Sequence, residues 1–81
     1  MPARRPSRRG PAAFAVCVAN DGYAASLERH KIYRVLPDAA AARDGDVRVV
    51  DESGEDYLYR AEDFILIEVP AEVRVALLQA P

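Results

Sequence analysis

GEDYLYRAEDFILIEV, residues 54–69, decides how this chain folds. Tyr57 and Tyr59 share one side of an extended segment while Leu58 takes the other, because side chains alternate across a strand. Arg60, Ala61, Glu62 and Asp63 then interrupt the β-formers with enough polar sequence for one short helical turn. Phe64 through Val69 resumes as a second strongly β-forming run.

Upstream of that stretch, DVRVVD (residues 46–51) alternates Val47 and Val49 against Arg48 and Val50. Glu52, Ser53, Gly54 and Glu55 form a polar reversal with a glycine ready for unusual dihedrals, so a hairpin is predicted. Asp51, Glu52, Glu55 and Asp56 then read as a solvated acidic tip: hard cations need ligands spaced to wrap one point, and this spacing does not. Downstream, Pro70 suits the first position of a helix running to about Gln79, with Val73, Leu77 and Ala80 as a narrow apolar stripe.

Toward the N-terminus, residues 31–36 (KIYRVL) form another strand, stopped by Pro37. Asp38 can cap a short helix through Ala39, Ala40, Ala41, Ala42 and Arg43, and Gly45 can terminate it in the left-handed conformation. FAVCVA, residues 14–19, is apolar on both sides and ends at the Asn20-Asp21-Gly22 turn signal. Residues 23–30 lack alternation and read as a loop or single helical turn that delivers Leu27 to the core. Cys17 is expected in that core, since free cysteine is among the most buried residue types. With His30 the only histidine, a Cys/His catalytic pair has weak support.

The chain has 81 residues, 51% of them hydrophobic and 30% charged, which suits one small globular domain and excludes a multidomain enzyme. Its net charge of −2 divides unevenly: the first thirteen residues carry Arg4, Arg5, Arg8 and Arg9 and no acid, whereas the rest holds seven basic residues against thirteen acids. An acidic body disfavours a phosphate-backbone partner, so only the leading segment has nucleic-acid character. A single cysteine needs no oxidising compartment, and no apolar stretch approaches the ~20 residues of a membrane span; the expected setting is cytoplasmic, without a membrane role.

The order of elements resembles an SH3-like barrel: a first strand, a long irregular loop, two strands joined by an insertion, a tight hairpin, one helical turn and a closing strand. Residues 54–69 look like the hairpin, helical turn and last strand of SH3 domains, and LERHKIYRVL, residues 27–36, is similar to their diverging turn and second strand. The chain also resembles short uncharacterised bacterial proteins with a DESGEDYLY-type run, here residues 51–59. SH3 domains bind proline-rich peptides over aromatic ridges and a tryptophan, but this chain has no tryptophan, and Arg60 stands where a proline is expected before the helical turn.

The expectation is therefore all-β: a five-stranded SH3-like barrel over residues 14–69, a basic leader over residues 1–13 and a short C-terminal helix within residues 70–81. No catalytic set, cofactor or metal site is assigned; Glu62 and Asp63, adjacent on a helical turn, point apart. Such a module acts by contact with an unknown protein partner or as a homodimer. Tyr23, Tyr57 and Tyr59 are candidates for an aromatic binding surface, and Val73, Leu77 and Leu78 for a helix interface. Arg4, Arg5, Arg8 and Arg9 are the candidates for the alternative role, a nucleic-acid accessory factor.

Overall fold

A computed structural model describes residues 13–79. Its elements are β1 (Ala13–Cys17), β2 (Ile32–Leu36), α1 (Ala39–Arg43), β3 (Asp46–Val50), β4 (Asp56–Arg60), a 3-10 turn (Ala61–Asp63), β5 (Phe64–Ile67) and α2 (Ala71–Gln79). The strands make one antiparallel five-stranded sheet in the order β4-β3-β2-β1-β5. The hydrogen-bonded ladder does not close: β4 and β5 are its two margins.

Local chemistry sets the connections. Asp38 caps α1 by accepting from the Ala41 amide at 2.9 Å, and Gly45 takes a φ of 80° immediately after it. Gly54 takes a φ of 87° in the β3–β4 hairpin. His30 is the one described non-glycine residue at positive φ, 75°, and its amide donates to the Cys17 carbonyl at 2.6 Å where β1 and β2 diverge. Pro70 stands just before α2 and its carbonyl accepts from the Arg74 amide at 2.9 Å, so it precedes the helix instead of opening it.

The curled sheet encloses Ala15, Cys17, Leu27, Tyr33, Val35, Val49, Tyr59 and Phe64, with Val47 packed against them. Strand alternation selects this set: Ala15 and Cys17 of β1 face inward with Tyr33 and Val35 of β2, while Phe14 points to the other side. Phe14 is nonetheless buried, and the Arg74 guanidinium of α2 lies 5.4 Å from its ring centroid, so the helix side of the sheet covers it. Leu27 reaches the core from the loop between β1 and β2. No described residue of α2 is itself buried.

Candidate functional site

Of the tyrosines singled out from the sequence, Tyr59 is core: it is 6% exposed and its hydroxyl donates to the Asp51 carboxylate at 2.5 Å. Tyr23 stands edge-on to it, ring centroids 5.1 Å apart and planes at 88°, and remains 44% exposed. Tyr59 also leans on Phe64 at 6.1 Å, so one aromatic row links the loop after β1, the end of β4 and the start of β5. Tyr57 is half-exposed and its hydroxyl donates to Glu55 at 3.2 Å, apart from that row. Alternation places Tyr57 and Tyr59 on one side of β4, but the core reaches only Tyr59.

Asp51 differs from the solvated tip expected of the hairpin acids. It is buried, and it accepts from the Ser53 amide at 2.9 Å and the Ser53 hydroxyl at 2.6 Å as well as from Tyr59. Burial pushes its carboxyl up, but the combined hydrogen bonds of Ser53 and Tyr59 outweigh this and hold it below the usual range. Glu52 accepts from Lys31 at 2.6 Å and from the Tyr33 hydroxyl, which itself accepts from the Glu28 amide at 2.7 Å. Asp51 thus ties the hairpin turn to β4, and Glu52 ties it to Lys31 and β2, while the Glu52 amide donates to the Ser26 carbonyl of the β1–β2 loop at 3.0 Å. Both Asp51 oxygens and Glu52 Oε2 accept from protein donors.

Glu62 and Asp63, although adjacent, converge on one cation: Arg60 reaches each at 3.0 Å. Cys17 is fully buried, its thiol donating to the Ala19 carbonyl at 3.3 Å, and burial raises its pKa. A thiol that stays protonated and closed off is not poised as a nucleophile.

The most open apolar feature lies along β5. Ile65 is 57% and Leu66 67% exposed, and no charged residue occurs between Phe64 and Ile67. Beside them is a cavity of about 600 Å³ walled by Ala13, Val35, Val47, Ala61, Phe64 and Leu66, with Ala42 of α1 and the acid–base pair Asp38 and Arg48 also on its lining. Arg48 Nε lies 2.8 Å from Asp38 while its Nη1 reaches Asp56 at 2.9 Å, so that guanidinium is held between two carboxylates. The cavity lies between the start of β1, the end of β2, α1, β3, the 3-10 turn and β5. Sequence reasoning did not single out Ile65 or Leu66; the available signal was a strand with no charge, but its place at a margin is set by strand order.

On α2, Val73, Val75 and Leu78 are exposed and Leu77 is half-buried. Leu77 and Leu78 help line a second cavity, of about 330 Å³, with Phe14, Ile32 and Tyr33. Arg4, Arg5, Arg8, Arg9 and Ala80 lie outside the described residues. Among the described residues no helix is long and apolar enough to cross a membrane. Comparison with known proteins found no matching family model, curated protein or solved structure.

Proposed function

We propose that the chain is a non-enzymatic protein-interaction module built as an SH3-like barrel, and that β5 and the neighbouring α2 form its contact face. The strand order, the single 3-10 turn between β4 and β5 and the Tyr59–Phe64 ring contact across the two margins support the barrel reading. The observation that carries the interaction reading is Ile65 and Leu66, more than half exposed on a strand margin with no charge to guard it. Natural sheets protect such margins unless something covers them.

The test compares the full chain with Ile65→Lys in sedimentation and as baits against extract of the native host. The native chain is expected to self-associate or retain a partner that the variant loses, with both equally folded by circular dichroism. Identical behaviour of the two forms, monomeric and partnerless, removes the reading. A second reading, binding of nucleic acid through Arg4, Arg5, Arg8 and Arg9, has in its favour the acid-free basic run of the first thirteen residues. It requires salt-sensitive binding that disappears when residues 1–13 are deleted, and no binding at low salt ends it.

A further inference from the structure

We infer that the mouth beside β5 is a strand-addition site for an extended basic peptide: the peptide pairs with the outward backbone of Leu66 and sets one apolar side chain into the 600 Å³ cavity. This deepens the interaction reading and rests on it.

Ladder phase exposes the backbone. The Val18 amide donates to the Asp63 carbonyl at 2.8 Å, and in the same register Val16 opposes Ile65, Phe14 opposes Ile67 and Ala15 opposes Leu66. Bonded and non-bonded pairs alternate in an antiparallel ladder, so Ile65 and Ile67 bond to β1 while Leu66 turns its N–H and C=O away. Phe64 also faces outward, but its amide is already given to the Ala61 carbonyl of the 3-10 turn. Neither backbone group of Leu66 has a partner among the described residues.

The cavity supplies the second half of the site. Leu66 lines it, and a peptide residue exchanging both hydrogen bonds with Leu66 sits directly opposite, with its side chain on the same face of the extended sheet. That side chain enters a space walled by Val35, Val47 and Phe64. Backbone pairing supplies affinity and the pocket selects the residue.

Charge chooses between occupants. Asp46 is on the cavity lining and Glu68 follows Leu66 by two positions; neither carboxylate has an ion pair or hydrogen bond to a described residue. Residues 14–81 together carry a net charge of −6. A second copy paired through β5 would bring two such bodies and two Glu68 side chains together, whereas a peptide with arginine or lysine beside its apolar anchor is attracted.

The experiment uses the full chain and a short fluorescein-labelled peptide alternating leucine with threonine and flanked by arginines, read by anisotropy and by residue-resolved amide exchange. Binding is expected to slow exchange at the Leu66 amide. N-methylation of the peptide residue opposite Leu66 should weaken affinity about two- to tenfold through the lost hydrogen bond. Ala42→Phe, which fills the cavity from the exposed surface of α1, should cost about ten- to a hundredfold, and Asp46→Asn with Glu68→Gln about two- to tenfold.

The proposal is overturned if the peptide leaves Leu66 exchange unchanged or if Ala42→Phe, folded by its unaltered melting curve, binds as well as the native chain. It is equally overturned if the Leu66 amide is already protected in a concentration-dependent way, which makes the occupant a second copy, or if it becomes unprotected only on deleting residues 1–12, which makes it the chain's own leading segment. Failure of the peptide while Ile65→Lys still abolishes self-association or capture removes this occupant and leaves the interaction reading standing.

Discussion

Along β4 the outward backbone groups belong to Asp56, Leu58 and Arg60; along β5 they belong to Phe64 and Leu66. The first margin ends in a charge on either side of its one outward leucine, and Asp56 and Arg60 are both engaged in ion pairs. Its neighbouring hairpin is fastened by buried Asp51, which takes hydrogen bonds from Ser53 and Tyr59. The second margin has no charge within the strand and no such lock, and the Glu68 just beyond it makes no ion pair with a described residue. Both strands are short and both finish the same sheet, so strand propensity does not explain the contrast. One margin is defended against pairing, and the other is left able to pair.

The sharpest way to break this comparison is to remove the fastening on the β4 side. Tyr59→Ala deletes the ring packed between Tyr23 and Phe64 and leaves buried Asp51 without its phenol donor. The expected loss is about 3–5 kcal/mol by urea denaturation, enough to unfold much of a small domain at room temperature. A loss below about 1 kcal/mol would mean that the hairpin is not the stabilising side.

Alkali should attack the same side next. Burial, joined by the hydrogen bonds to acidic partners, pushes the Tyr33 phenol well above its ordinary value and the Tyr59 phenol up to about 12. A raised folded pKa gives stability that is complete below the unfolded value of about 10 and is lost as pH climbs through the folded one. The denaturation midpoint should therefore fall above about pH 10, and Tyr59→Phe should shrink that slope. Tyrosinate absorbance reaching the amplitude of four free tyrosines at about pH 10, without unfolding, would contradict it.

Acid works in the opposite sense. Asp38 is held low by the Ala41 amide and then by Arg48, Glu52 by Lys31 and then by Tyr33, and Asp51 as described. Depressed carboxylates contribute stability above the unfolded range of about 4, and that contribution disappears as pH falls through their lowered values. Stability should be level between about pH 5 and pH 10 and decline below about pH 4, with Asp51→Asn flattening part of the decline. An acid profile unchanged by Asp51→Asn would show that the hairpin lock carries no linkage.

The smallest expected effect lies on the β5 side. Leu66→Thr, at a side chain two-thirds exposed, should change stability by less than about 0.5 kcal/mol in urea. The same substitution should reduce any contact made through β5. If it destabilises the chain as Tyr59→Ala does, then Leu66 is holding the fold together and the margin is not spare.

Much of the architecture was legible because it depends on neighbours in the chain. Asp38 followed by alanines and then Gly45 specifies a capped helix with a left-handed exit, and Ser53-Gly54 between alternating runs specifies a hairpin. Arg60 to Asp63 between two β-forming runs specifies one helical turn. The candidate surfaces were much less legible. Tyr57 and Tyr59 are equivalent in strand phase, and only the extent of the core under them makes one a buried anchor and the other a half-exposed side chain. Asp51 looks like one acid among four until Tyr59 is folded over it, eight residues away.

From the chain alone came five strands, two short helices, their order and the faces of each strand, since alternation, capping and turn chemistry act over a few consecutive residues. Which strands became margins, which of them was left without charge, and that a cavity opens beside Leu66 were decided only in three dimensions. Those properties come from pairing between β1 and β5, whose partners, such as Ala15 and Leu66, are far apart along the chain and meet only once the sheet has curled.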